Sequence, residues 1–168
     1  MISDIDDVHT YDKYYYISNS STPLSKTDLE SVVWTPYSDI VQITDEGFYV
    51  VYVKFVHGND VSYINSDLLI LDKTGSDIDI TLGNSHYNSV NNTTIYLDHS
   101  FDISVSASDT LSGIKSVEYY ISNDFINDYN VNWLTYNDVI HFTNVGEYIL
   151  YVKVTDGCDF VTIASTPL

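Results

Sequence analysis

Aspartate is the residue of this sequence whose position most readily suggests chemistry. Asp72, Asp77 and Asp79 lie close together in the middle of the chain, at the ends of the short segment Leu71–Asp77. Calcium binds about six to eight oxygen ligands, and carboxylates on loops are its usual protein ligands. We therefore predict a calcium site at Asp72, Asp77 and Asp79, and we expect no other cofactor.

Further acids occur in two predicted turns. Asp109 begins the loop Asp-Thr-Leu-Ser-Gly, and Asp156 and Asp159 crowd a later turn. None of these acids has the spacing of an EF-hand loop. Aspartate also stabilises turns by bonding to its own backbone. A purely structural role for the acids is therefore the alternative.

The sequence gives no support for catalysis. It contains no G-x-S-x-G segment, no P-loop and no HExxH pattern, so no motif pairs its five histidines with a nucleophile or a metal. A glycosidase needs two carboxylates at a set separation, but acids are so abundant here that two neighbours carry no information. We therefore expect a protein that is not an enzyme and has no catalytic residue.

The charge of the chain limits its partners. It has 24 Asp and Glu against 6 Lys and Arg, which gives a formal net charge of −18. So few cations cannot neutralise phosphates, and we expect no nucleic-acid partner. No segment approaches the ~20 apolar residues of a membrane span, so we expect no membrane insertion. The single cysteine, Cys158, excludes a disulfide within the chain.

An internal repeat organises the sequence. The segment GFYVVYVKFVHG at Gly47–Gly58 returns as GEYILYVKVTDG at Gly146–Gly157, 99 positions later. Upstream, YYIS at Tyr15–Ser18 returns at Tyr119–Ser122. Self-similarity over so long a period is typical of tandem modules.

Each copy of the repeat reads as β-structure. In the second copy, apolar residues occupy every other position from Tyr148 to Val154, as a half-buried strand requires. We take this side as the core side and the intervening residues as facing outward. Outward tyrosines could pack on sugar rings or pair with each other across strands, and both interpretations stay open. The residues predicted to face outward are Tyr52, Tyr151 and Lys153.

The second copy contains about seven short strands, the number expected of an immunoglobulin-like sandwich. We predict an all-β fold of two tandem immunoglobulin-like β-sandwich modules, residues 1–73 and 76–168. Only residues 1–13 precede the first YYYIS, so we expect the first module to lack its N-terminal strands. Besides the hairpin after Gly146, the predicted strands are Ile78–Leu82, Phe101–Ala107, Ile114–Ser122, Trp133–Tyr136 and Val139–Thr143.

Two local features carry expectations of their own. Trp34 and Trp133 occupy equivalent places in the repeat, and we expect both rings to be buried against the inner residues of the long strand, such as Val51 and Leu150. We expect the segment TPLSKTDLES to form a polar loop. A helical turn starting at Pro23, with a capping box at Thr27-x-x-Glu30, is the alternative.

The second copy resembles the bacterial Ig-like repeats that occur in tandem in secreted and cell-surface proteins. The resemblance covers nearly all of residues 76–168 and about two-thirds of a module within residues 1–75. It implies the sandwich fold and an extracellular or cell-surface location. The residues that carry it are Asp109, Ser112–Ser122, Trp133, Tyr136, Gly146–Asp159 and the linker Leu69–Thr74.

From these observations we predict a non-catalytic spacer or adhesion segment of an extracellular or cell-surface protein. Its partner would be a protein or a glycan, and it would be monomeric within a longer multidomain chain. A carbohydrate-binding accessory module of a secreted glycosidase is one alternative, and a phage or virion decoration module is another. A contiguous strip of exposed Tyr or Trp beside polar groups would favour sugar binding.

Overall fold

The computed structural model describes residues 10–83, 85–88, 93–96 and 100–168, with side chains described for 10–83 and 100–168. The chain divides into two compact units, Met1–Asp72 and Lys73–Leu168. The described strands form antiparallel sheets, and the fold is all-β, as predicted.

The first unit is built around one long strand, β3. Its sheet has the order β2-β1-β3-β4, and β5 also pairs with β3; every pairing is antiparallel. The elements are β1 (Asp12–Ser18), α1 (Lys26–Ser31), β2 (Thr35–Pro36), β3 (Gly47–His57), β4 (Asp60–Asn65) and β5 (Leu69–Leu71).

The second unit contains two larger sheets and a separate hairpin. One sheet has the order β11-β10-β13-β14, the other has the order β12-β9-β6, and β7 pairs with β8. The strands are β6 (Asp77–Leu82), β7 (Ser85–Asn88), β8 (Thr93–Tyr96), β9 (Phe101–Ser108), β10 (Ile114–Ser122), β11 (Leu134–Thr135), β12 (Ile140–Phe142), β13 (Ile149–Asp156) and β14 (Val161–Pro167).

Every strand predicted in the second copy is present, with ends that differ by a few residues at most. The hairpin of β7 and β8 was missed. Its sequence is rich in Ser, Asn and Thr, and Ser and Asn carry little of the apolar alternation that identifies a strand. The pairing of the two strands is therefore visible only in the fold.

The core of the second unit lies between its two larger sheets. Leu150, Val152 and Val154 of β13 are fully buried, and they belong to one cluster with Ile103 of β9 and Phe142 of β12. These β13 residues are the ones predicted to face the core. Removing their apolar surface from water stabilises the sandwich.

The other side of the long strand is also buried, so the prediction that Tyr52 and Tyr151 face outward is wrong. Tyr52 is 2% exposed and Tyr151 is 1% exposed. The Tyr52 hydroxyl accepts a hydrogen bond of 2.6 Å from the backbone N–H of Leu24, and the Tyr151 hydroxyl accepts one of 3.0 Å from that of Ile126. The loops after β1 and β10 therefore cover this face.

The tryptophans lie on the same face of the long strand as Tyr52 and Tyr151, in the layer of loops that covers it. The prediction that they pack against the opposite, inner face is wrong. Both side chains are half-buried rather than buried. In the first unit, the Trp34 ring centroid lies 6.3 Å from that of Tyr16 and 5.6 Å from that of Tyr63. In the second, the Trp133 ring lies 6.4 Å from that of Tyr120.

A lysine completes each layer. Lys54 Nζ lies 4.9 Å from the centroid of Trp34, and Lys153 Nζ lies 4.8 Å from that of Trp133. Lys153 also forms a 2.8 Å ion pair with Glu118, and its side chain is only 21% exposed. Lys153 lies on the side of the strand opposite the sandwich core, as predicted. That side is covered by the loop that carries Trp133, so Lys153 does not face the solvent freely.

The segment predicted to be a polar loop contains the short helix α1. Ser25 is its N-cap and accepts a 3.3 Å hydrogen bond from the backbone N–H of Asp28, while Asp28 accepts one of 2.9 Å from the N–H of Ser25. The capping box is therefore Ser25–Asp28, not Thr27–Glu30. Leu29, which is 5% exposed, packs under Tyr52 and anchors the helix.

Within residues 10–72, all strands belong to the sheet around β3, and no second sheet faces it. The apolar side of this sheet contributes Tyr15, Ile17 and Val51 to a groove that the segment Tyr37–Ile43 also lines. Residues 1–9 lie outside the described part of the chain. The absence of N-terminal strands from the first module therefore stays a prediction.

The buried tyrosine hydroxyls give a first test. Tyr151→Phe or Tyr52→Phe leaves a partly buried backbone N–H without its acceptor, at a cost of about 1–3 kcal/mol. We expect each variant to melt a few degrees below the wild type in a calorimetric scan. Tyr129→Phe is the control, because the Tyr129 side chain is 44% exposed. Equal melting temperatures for all three would show that the loops do not depend on these bonds.

The helix cap gives a second test. The Ser25 side chain, and then its backbone N–H, hold the pKa of Asp28 below its ordinary value of 3.8. A pKa that is lowered in the folded state stabilises the fold at every pH above the unfolded pKa, and this contribution is lost as the pH falls through the folded pKa.

We therefore expect Asp28→Asn to lower the stability at neutral pH and to flatten its decline below about pH 4. Ser25→Ala should act in the same direction, because it removes the first cause of the shift. Denaturant unfolding between pH 7 and pH 2 measures both. Variants that keep the wild-type pH profile would contradict the role of the cap.

Candidate metal centre

Asp109 organises the loop between β9 and β10. Its Oδ1 accepts hydrogen bonds from the backbone N–H groups of Leu111 at 3.0 Å, Ser112 at 2.8 Å and Gly113 at 2.9 Å. Gly113 has a φ of 73°, a left-handed conformation that glycine adopts without steric cost. One oxygen of Asp109 therefore holds the loop.

Asp156 is the last residue of β13 and is fully buried. Its Oδ1 accepts hydrogen bonds of 2.8 Å from the backbone N–H groups of Cys158 and Phe160, which form the turn before β14. Its Oδ2 is buried and has no hydrogen-bond partner. This oxygen is unusual, because buried polar atoms nearly always have one.

The pairing of β10 with β13 brings the two loops together. Asp156 is opposite Ile114 in the register, and the N–H of Gly157 donates a 2.9 Å hydrogen bond to the carbonyl of Gly113. As a result, Asp109 and Asp156 each offer a carboxylate oxygen within 4.8 Å of the other. An acid that organises one loop thus lies beside an acid that organises the next.

Asp159, the third acid named in these turns, has a different role. It has a φ of 66°, and its carboxylate forms an ion pair with Lys115. The side chains of this pair are 72% and 58% exposed, respectively. Asp159 is therefore a surface residue of the turn, whereas Asp156 is internal.

The structure does not bring all three acids of the predicted calcium site together. Asp72 follows β5 and is half-buried. Asp77 and Asp79 are exposed on the same side of β6, and Asp79 accepts a 3.5 Å hydrogen bond from the Thr81 hydroxyl. Among the described residues, neither Asp77 nor Asp79 belongs to a group of three or more His, Cys or acidic residues close enough to share an ion. The site at Asp72, Asp77 and Asp79 stays a prediction.

The tryptophan layer was the other candidate site. The Trp133 ring N–H donates a 3.1 Å hydrogen bond to the carbonyl of Tyr129, and the Trp34 ring N–H donates one of 3.0 Å to that of Leu29. A lysine already lies over each ring. These contacts describe structural anchors of the covering loops.

The sheets of the second unit define an immunoglobulin-like β-sandwich. Residues 86–152 match the family model of the bacterial Ig domain, which confirms the resemblance seen in the sequence. This part of the chain is therefore similar to a bacterial Ig-like module. No curated protein and no solved structure matches the chain. Within the described ranges, no helix is both long enough and apolar enough to cross a bilayer.

The contact between the two loops can be tested at Gly157. A Cβ added at this position would clash with the carbonyl oxygen of Ser112, which is a backbone atom and cannot move aside easily. Gly157→Ala should therefore destabilise the second unit by about 1–3 kcal/mol, the usual cost of overpacking. Calorimetry measures the change. An unaltered melting temperature would mean that the loops do not pack this closely.

Proposed function

We propose that the chain is a non-catalytic segment of a bacterial cell-surface or extracellular protein, where it serves as a spacer or adhesion element. The observation that carries this proposal is the match to the bacterial Ig domain, within a chain whose long-strand motif is repeated. Modules of one fold serve many functions, so the function is argued from the surfaces of this chain.

The sheet arrangement suits a spacer. β13 pairs with β10 through Ser122↔Ile149 at one end and Ile114↔Asp156 at the other, and it pairs with β14 along nearly the same length. Its core side chains are buried at the same time. Extending such a strand requires many hydrogen bonds to break together, which favours a unit that keeps its shape under load.

The described histidines support a non-catalytic role. His141 Nδ1 lies 2.6 Å from Asp102 Oδ1, a pairing that catalytic triads also use. Both side chains are more than half exposed, and in the described structure no hydroxyl or thiol is bonded to this imidazole. His57 lies beside the Tyr11 ring at 5.5 Å, in the other unit. A nucleophile and an oriented base are therefore not assembled here.

Carbohydrate binding is the alternative that the structure makes testable. Phe125 is 67% exposed and Tyr129 is 44% exposed, and both lie in the loop that leads to Trp133. Exposed rings of this kind can pack on sugars. Against this, Lys153 lies over the Trp133 ring, and Tyr129 packs edge-on against Tyr151. Trp133 and Tyr129 thus contribute to the layer that covers this face of the sheet.

A glycan array separates the two functions. We expect the purified chain to bind no glycan on the array, because the rings of Trp133 and Tyr129 are engaged within the protein. Phe125→Ala with Tyr129→Ala should leave this result unchanged. Saturable binding that the double variant abolishes would establish the carbohydrate-binding function instead.

The location is tested on cells. Antibodies raised against the chain should stain intact cells of the organism that produces it, and protease added outside should remove the staining. Staining that appears only after permeabilisation would contradict the surface role, whatever the glycan array shows.

A further inference from the structure

The carboxylate of Asp156 poses an energetic problem. The residue is fully buried, one of its oxygens accepts two backbone hydrogen bonds, and the other has no partner. Taking a carboxylate out of water is costly unless it is paired, hydrogen-bonded or bound to a metal. The two hydrogen bonds stabilise Oδ1, but Oδ2 stays buried without any such compensation.

The neighbour of Asp156 adds to the problem. Asp109 brings a second carboxylate to within 4.8 Å, and like charges at this distance repel each other. The lysines of the described ion pairs in this unit are engaged elsewhere, Lys115 with Asp159 and Lys153 with Glu118. Two acids share a site, and neither has a basic partner in the described structure.

We propose that Asp109 and Asp156 bind a calcium ion in the second unit. The ion would accept the unpartnered Oδ2 of Asp156 and a carboxylate oxygen of Asp109, and it would neutralise both charges. Backbone carbonyls and water usually supply the remaining ligands of such a site. Asp77 and Asp79 of the predicted site are not part of it, and the proposal is independent of the proposed function.

The donor atoms favour calcium over softer metals. Both side-chain ligands are carboxylates, and hard oxygen donors select calcium or magnesium, whereas zinc and copper prefer nitrogen and sulfur. Cys158 lies in the same turn but is exposed, whereas Asp156 is fully buried. Magnesium demands a strict octahedron, while calcium accepts the irregular geometry that two turns provide.

An ion at this place would join two loops that are distant in sequence. Asp109 holds the loop between β9 and β10, and Asp156 holds the turn between β13 and β14. Strand β10 follows Asp109, and strand β13 ends at Asp156. These two strands are paired in the centre of one sheet. Calcium would therefore fasten one end of this sheet, and its binding energy would add to the stability of the unit.

The repeat supplies an internal comparison. At the position that aligns with Asp156, the first copy has His57, whose side chain lies against Tyr11. The turn after the long strand is otherwise similar, with Gly58 in place of Gly157 and Asp60 in place of Asp159. The first copy therefore lacks the buried acid, and we expect the site in the second copy alone.

Calorimetric titration of the full chain with calcium tests the proposal. After treatment with EDTA and desalting, the wild type should bind one calcium ion with a Kd between about 10⁻⁵ and 10⁻³ M. Saturating calcium should raise its melting temperature by about 5 °C or more. Magnesium at the same concentration should give a much smaller rise.

Two pairs of variants locate the site. Asp156→Asn and Asp109→Asn should each weaken calcium binding at least ~10-fold and remove the rise in melting temperature, as loss of a charged ligand predicts. Asp159→Asn, in the same turn, and Asp77→Asn with Asp79→Asn should bind calcium as the wild type does. If Asp156→Asn fails to fold, Asp109→Asn and terbium luminescence on the wild type, with calcium as competitor, replace it.

Three results would overturn the proposal. The first is a melting temperature that neither calcium nor EDTA changes. The second is calcium binding that survives Asp109→Asn but is lost in the variant of Asp77 and Asp79, since this would place the ion at the linker acids. The third is a shared proton in place of the metal: the wild type would then be stabilised by mild acid and would ignore calcium.

Discussion

Burial of one strand on both of its faces is the constraint on which the rest of the second unit depends. Strand β13 lies between β10 and β14, so its backbone is bonded on both edges. Leu150 and Val152 enter the sandwich core on one side, while Tyr151 enters the aromatic layer on the other. A strand of this kind must be apolar at successive positions, and it leaves the edges, loops and turns to meet the solvent.

In the first unit the long strand β3 is also buried, but by different elements. Val50 and Tyr52 of β3 are buried under α1 and Trp34, while the opposite face of its sheet borders the groove at Val51. The hydroxyls of Tyr52 and Tyr151 explain why tyrosine occupies this position in both copies. Each ring fills the layer and each hydroxyl accepts a bond from the covering loop, which phenylalanine could not do.

The strands of the second unit could be predicted from the sequence because they depend on local alternation and on turn residues. The loops that cover one face of each long strand could not be predicted from it. Alternation separates the two sides of a strand, but it does not reveal whether a loop lies over one of them, and Tyr52 was misassigned for this reason. The capping box was also misplaced, because Ser25-x-x-Asp28 and Thr27-x-x-Glu30 overlap and only the fold selects between them.

The candidate site was only partly predictable for a related reason. Asp109 and Asp156 were both recognisable as turn acids, yet they are 47 positions apart, and only the register of β10 against β13 brings them together. Asp156 also ends a strand, where its burial is set by the neighbouring loop. Distance in sequence therefore concealed the pair, while the nearer acids Asp77 and Asp79 suggested a site by proximity alone.

The differences between the two copies show where this chain departs from a simple duplication. Residues that build the layers are kept, as Tyr52 and Tyr151 are, whereas residues at the loops and edges change. Glu118 pairs with Lys153, but the equivalent Lys54 lies over the ring of Tyr14, 4.6 Å from its centroid. Positions that packing does not hold are free to acquire a specific role. A buried acid is different, because it is costly to keep without a ligand, and its presence in one copy alone argues for a role beyond folding.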